Sequence, residues 1–176
     1  MSTIDYYSLP RMGPPVSQIQ RELRQARPFV STADEAAVGI LRTAEIIRRF
    51  YAQVLAPFDV TLAQYNVLRI LRGAGDEGLP TLEVADRLIE SAPGITLMMD
   101  RLVRKGWVRR RRSRQDRRQV RCYLMTPGAE LLRRIDAPFN AAHSRGLADL
   151  TVSQCRTVIR LLDSVRRLHA SLDRNS

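Results

Sequence analysis

Between residues 81 and 125 the apolar residues change their spacing, and that change constrains the chain more than any other feature. Ile95, Met98, Met99 and Leu102 recur at three- and four-residue intervals, one face of a helix. Beyond Gly106, Val120, Cys122 and Leu124 alternate with Arg121, Tyr123 and Met125, the period of a strand whose first set faces inward. Trp107 to Arg112 is the expected partner strand, and the polar bend Ser113 to Arg118 joins the two into a hairpin. Upstream, Thr81 is placed to cap a short helix with Leu82, Ala85 and Leu88 inward. Ser91 and Pro93 then open the helix that Gly106 ends, proline being suited to a first turn. The order is helix, turn, helix, hairpin.

The flanking sequence reads as helix. Residues 1–15, with Pro10, Gly13, Pro14 and Pro15, form an irregular arm. Val16, Ile19, Leu23, Ala26 and Val30 predict a short amphipathic helix that Pro28 bends or ends. Thr32 with Glu35, Thr61 with Gln64 and Thr151 with Gln154 each have the spacing of a capping box. They open helices that Pro57 and Gly73 stop in the first two cases. Thr126-Pro127 opens another, which Pro138 should kink. Residues 73–78 match GxGxxG, but they follow a helix and lead to Leu79-Pro80. A nucleotide loop needs a strand before it and a helix after it, so these glycines mark a flexible loop.

Net charge is +11, and its placement matters more than its size. From Arg101 to Arg121 there are ten arginines, one lysine and one aspartate, so this stretch carries 11 − 1 = +10 and the remainder +1. Charge this local is the footprint of a polyanion partner. A solvated face or an anionic-membrane patch are the other readings. Of 29 basic residues 28 are arginine; a GC-rich coding sequence would explain that preference but not the clustering. No apolar run is long enough to span a membrane. The first residues lack a secretory pattern, and Cys122 and Cys155 lie far apart, which suits a reducing cytoplasm. A redox role for Cys122 is disfavoured by its inward position. His143 and His169 stand apart without metal-ligand spacing, so neither metal nor cofactor is expected. No P-loop, zinc-protease helix or GxSxG elbow is present, and the chain is read as a non-enzyme.

The face opposite Ile95 and Met99 presents Pro93, Gly94, Thr96, Leu97, Asp100, Arg101 and Arg104. Small residues there let a helix N-terminus approach a phosphate or base edge. Thr96 can hydrogen-bond, and Leu97 can touch a thymine methyl. Arg101 and Arg104 are either phosphate contacts or ion-pair partners of Asp100. The hairpin tip gathers Arg114, Arg117 and Arg118 around Asp116. An arginine there suits a minor groove, with Asp116 bracing another. The DNA-binding set is therefore Ser91, Pro93, Gly94, Thr96, Leu97, Arg101, Arg104, Arg114, Arg117 and Arg118.

Pro93-Gly94-Ile95-Thr96, Asp100-Arg101-Leu102, Gly106-Trp107-Val108 and Asp116-Arg117-Arg118 together resemble the MarR family of multiple-antibiotic-resistance regulators. Leu62-Ala63-Gln64-Tyr65 and Met125-Thr126-Pro127 are similar too. The resemblance covers residues 33–170. It implies a mostly α fold, a winged helix-turn-helix with a small β-hairpin wing and an all-helical dimerisation region. On that reading residues 1–31 are an N-terminal arm and 32–176 the family domain. The winged lobe is 57–126; 32–56 and 127–176 are dimerisation helices. The resemblance further implies a homodimeric double-stranded-DNA regulator, commonly a repressor, reading a palindromic operator. Ile40, Val158, Leu161, Leu162, Val165 and Leu168 would line the dimer interface. A small aromatic or anionic effector would release DNA, with Phe50, Tyr51, Tyr65, Arg69 and His143 as lining candidates. Two departures stand out: Leu97 replaces a commonly polar position, and residues 116–126 are one longer than usual, as a bulge in the second wing strand would require. A non-specific architectural DNA-binding protein is the alternative.

Overall fold

The computed structural model describes residues 16–89, 94–112 and 119–172. The chain divides into two compact units, residues 1–47 and 48–176. In the first, α1 spans Gln18–Glu22. The expected helix over 16–30 is thus much shorter: Arg24 takes a left-handed φ of 51°, and the chain leaves the helix before Pro28 is reached. Helix α2, Thr32–Leu55, starts in this unit and ends in the second. Its cap lies one residue earlier than the Thr32–Glu35 box. The Ser31 hydroxyl accepts the Asp34 N–H, and the Asp34 carboxylate accepts the Val30 N–H. Aspartate serves both the cap and the positive end of the helix dipole.

The second unit holds the core. A 3-10 turn, Ala56–Phe58, ends at Asp59, whose φ of 52° turns the chain into α3, Leu62–Ala74. Thr61 and Gln64 close the expected capping box. The glycine loop contains a 3-10 turn at Gly75–Glu77. At Gly78 (φ 58°) a Cβ would come within 2.6 Å of the Cys122 carbonyl and the Tyr123 ring, so only glycine fits. The loop delivers β1, Leu79–Pro80, a strand the sequence did not announce because two residues cannot show alternation. It pairs antiparallel with β3, Val120–Leu124, which pairs antiparallel with β2, Val108–Arg112. The wing is therefore a three-stranded sheet in the order β1-β3-β2. Its β2–β3 register is unbroken from Val108↔Leu124 to Arg112↔Val120, so no bulge interrupts the described strands. Val120 shares the inward face with buried Cys122 but is exposed, because the ribbon there extends beyond the core.

Helix α4, Thr81–Asp86, departs from expectation in two ways. Pro80 occupies the N-cap and Thr81 is the first helical residue, its Oγ1 3.5 Å from Cys122 Sγ instead of capping. Leu82 points to solvent at 76% exposure, and Val84 is the buried anchor. Helix α5, Ile95–Arg104, has Gly94 at its N-cap with φ 91°. Helix α6, Thr126–Gly146, runs through Pro138, and α7 spans Val152–Leu172. Leu55, Val67, Leu68, Leu71, Val84, Met99, Leu102, Val108, Leu132 and Ile135 form one apolar core across α2–α6 and the sheet. Fully burying each such side chain contributes about 1.5–3 kcal/mol.

Candidate nucleic-acid interface

Helix α5 faces two ways, as its periodicity requires. Met99 and Leu102 are fully buried, and Ile95 and Met98 pack against the core. Thr96, Leu97, Arg101 and Arg104 are exposed, Leu97 by 53%. Gly94 is exposed at the helix start. Among the described residues Arg101 and Arg104 have no ion-pair partner. Asp100, the one acid on α5, pairs with Arg110 of β2. Ser91, Pro93, Arg114, Asp116, Arg117 and Arg118 lie outside the described residues.

The ribbon is fastened to this helix at its base. Arg110 donates to Asp100 and, at 3.1 Å, to the Thr96 carbonyl. The far end of α5 is tied down by Lys105, the only lysine in the chain. Its Nζ lies 2.6 Å from Asp59 Oδ2 and 3.0 Å from the Asp59 carbonyl, and 4.5 Å from the Trp107 ring centroid. A compact ammonium suits this three-way site better than a planar guanidinium. On the other sheet face Arg121 donates to the carbonyls of Glu77 and Gly78, both at 2.9 Å, and Arg109 lies over the Tyr123 ring. Arg111 and Arg112 are exposed. The arginine-rich stretch thus splits into members that hold the lobe together and members that project from it. Sequence reasoning missed Arg110, Arg121 and Lys105 as fasteners, since side-chain partners far along the chain leave no mark in a run of like residues.

A second constellation sits between the end of α2, α3 and α6. Tyr51, Tyr65, Phe139 and His143 form one aromatic cluster, with Tyr65–Phe139 centroids 4.4 Å apart and Tyr51–Phe139 4.9 Å apart. Phe50 adjoins Tyr51, and Arg69 lies 5.6 Å from the Tyr65 ring centroid. All five predicted effector residues therefore share one neighbourhood, with Phe139 as the unpredicted centre. Tyr51 Oη is 2.7 Å from His143 Nδ1. Desolvation and the Arg69 charge both push the His143 pKa down, which favours a neutral ring in this hydrogen bond. Burial raises the Tyr51 pKa. Beside it a bidentate Arg72–Asp136 pair, at 2.8 and 3.1 Å, links α3 to α6.

The last helix has a different surface. Ile159, Leu161 and Leu168 are more than half exposed, Val158 and Val165 only slightly less, and Leu162 is half-buried. Ile40, in the first unit, is exposed at 39%. Cys122 is fully buried and Cys155 half-buried, both as free thiols. No described helix is long and apolar enough to cross a membrane.

Two short helices, the second exposed along one side and pinned to an arginine ribbon, define a winged helix-turn-helix protein. Comparison with known proteins gives the family. The MarR family model matches residues 60–120. The transcriptional regulator TtmR of Methylorubrum extorquens is 32% identical over 142 residues, 80% of this chain and 70% of the relative. The transcriptional repressor Rv2887 of Mycobacterium tuberculosis is 30% identical over 135 residues, 76% of this chain and 96% of the relative. Among solved structures, a mutant MarR from Escherichia coli complexed with operator DNA is 31% identical. It superposes with a TM-score of 0.66 over 72% of this chain and 89% of that one. The chain belongs to the MarR family of transcriptional regulators.

Proposed function

We propose that this protein binds a palindromic operator in double-stranded DNA as a homodimer and represses transcription until a small aromatic or anionic effector releases it. The observation that carries the reading is the shared surface of α5 and the β2–β3 ribbon. Its Arg101 and Arg104, exposed and without an ion-pair partner among the described residues, sit beside Thr96 and Leu97 on a helix that the ribbon braces. A helix so presented fits a major groove, and a basic ribbon beside it fits the flanking minor groove. Of Arg114, Arg117 and Arg118 at the tip, one is assigned to that groove while Asp116 braces another, and Ser91, Pro93 and Gly94 are assigned to the DNA backbone near the helix start. One such lobe offers few base contacts; two related by a twofold axis read half-sites roughly 34 Å apart. The apolar stripe of α7 supplies a surface for that second copy, and exposed Ile40 is assigned to dimer contacts as well. The effector is assigned to the neighbourhood of Phe50, Tyr51, Tyr65, Arg69 and His143, where aromatic rings and one guanidinium suit a phenolic anion.

Selection of genomic fragments retained by the purified protein, followed by competition with excess random DNA, tests this. A regulator keeps one palindromic site under competition, whereas an architectural DNA-binding protein loses it. Exposed Leu97, in place of a hydrogen-bonding reader, is the feature that favours the architectural reading. Unchanged gel shifts from both Arg117→Ala and Arg118→Ala would remove the wing tip from the mechanism. Phenolic acids that raise the melting temperature and release the operator would support the effector assignment; none doing so would refute it.

A further inference from the structure

Strand β2 is valine followed by four arginines, chemically identical and differently placed. Arg109 lies over the Tyr123 ring on one sheet face, and Arg111 and Arg112 are exposed. Arg110 alone turns onto α5. Its guanidinium engages the Asp100 carboxylate and the Thr96 carbonyl, which are one helical turn apart. Its side chain is 27% exposed, and its Nε is buried without a hydrogen-bond partner. That orphan donor shows that the guanidinium is placed for the two acceptors on α5 instead of satisfying all its own groups.

Asp100 is the only acid on α5, and it stands on the helix proposed to approach a polyanion. A carboxylate there weakens DNA binding through simple repulsion unless it has another task. Gripping Arg110 is that task. Two acceptors on successive turns fix the helix's rotation against the ribbon, and the two separate NH2 groups of the planar fork reach one acceptor each in a fixed geometry. Helix and wing must meet adjacent grooves of one duplex, so their mutual geometry has to be set before binding.

Resting on the DNA-binding reading above, we propose that Arg110, with Asp100, is a positioning pair for DNA recognition. It holds α5 and the wing in register without itself neutralising a phosphate. The test uses the full-length protein and the fragment it selects, with affinity measured across a salt series. Arg110→Ala and Arg110→Lys should each weaken operator binding on the order of tenfold while leaving the slope of log affinity against log salt unchanged. Asp100→Ala, in a residue type that favours helix, should also weaken binding although it removes a negative charge. A slope falling by about 0.9 in Arg110→Ala would show that Arg110 meets a phosphate directly and would overturn the proposal. Tighter binding by Asp100→Ala, the outcome expected of bare electrostatics, would overturn it too, and this variant carries the test if Arg110→Ala does not fold. Affinity loss matched by a comparable loss of thermal stability in every variant would reduce the pair to a structural contact. Wild-type protein that retains no fragment would instead break the DNA-binding reading itself.

Discussion

Helices α6 and α7 have equal length, 21 residues, and both carry leucine, valine or isoleucine at helical spacing. Their fates differ. Helix α6 buries Gly128, Leu131, Leu132, Ile135, Phe139 and Ala142, whereas no described side chain of α7 is buried. Gly128 shows how tightly α6 is seated: a Cβ there would meet the Trp107 carbonyl at 2.6 Å. The same kind of stripe thus serves the chain's own core in one helix and faces outward in the next. In the proposed homodimer the outward stripe of α7 is the association surface, so the sequence pattern identifies an apolar face without saying which molecule buries it.

The largest effect that separates the two helices is expected at Leu132. Truncation to alanine should destabilise the protein by about 2–5 kcal/mol through lost contacts and a cavity, read from denaturant unfolding. Leu161→Ala at dilute protein should stay within about 0.5 kcal/mol, as at an ordinary surface position. Equal losses at the two sites would erase the distinction. Next in size, Leu161→Asp with Val165→Asp should raise the dimer dissociation constant at least tenfold, about 1.4 kcal/mol, in sedimentation equilibrium. An undiminished dimer would place the interface elsewhere.

The capping boxes sharpen the same contrast. Thr61→Ala at the start of α3 should lower global stability by about 1 kcal/mol. The equivalent box at Thr151 has both its hydrogen bonds, 2.8 and 3.3 Å. Thr151→Ala should lower helicity by circular dichroism more than it lowers the unfolding midpoint of the core. The smallest effect concerns His143 on α6. Its pKa lies below the ordinary 6.5 when folded, so the unfolded chain takes up the proton first as pH falls. Its contribution is present above about pH 6.5 and fades below it. Wild type should lose melting temperature on acidification through this range, and His143→Phe should flatten the curve. Parallel curves would remove the Tyr51–His143 bond from the stability account.

Much of this was legible in the sequence because it rests on period and capping. The inward set Ile95, Met98, Met99 and Leu102, the boxes at Thr61 and Thr151, and the β2–β3 hairpin all follow from local chemistry. What escaped depends on the rest of the fold. Strand β1 exists only because β3 offers it an edge, and Val84 is buried in place of Leu82 because α4 turns its Thr81–Val84–Ala85 face inward, Thr81 reaching Cys122. The first helix ends at Arg24 through a backbone angle that its composition does not announce. At the site, the exposed face of α5 was readable, but the division of the arginines into fasteners and free charges was not. Arg110 and Arg121 look like their neighbours until Asp100, Thr96, Glu77 and Gly78 come into reach. The aromatic cluster was found by residue type alone, and only its centre, Phe139, was missed.

In the proposed complex, α5 and the arginine ribbon form one DNA-binding surface, used in duplicate through α7. The most direct measurement is the mass and affinity of the complex with the selected operator, for wild type and for the Leu161→Asp, Val165→Asp double variant. Wild type should bind as two chains per duplex, and the variant should lose at least tenfold in operator affinity with its core stability retained. A variant that binds the operator as a single chain with undiminished affinity would contradict that arrangement.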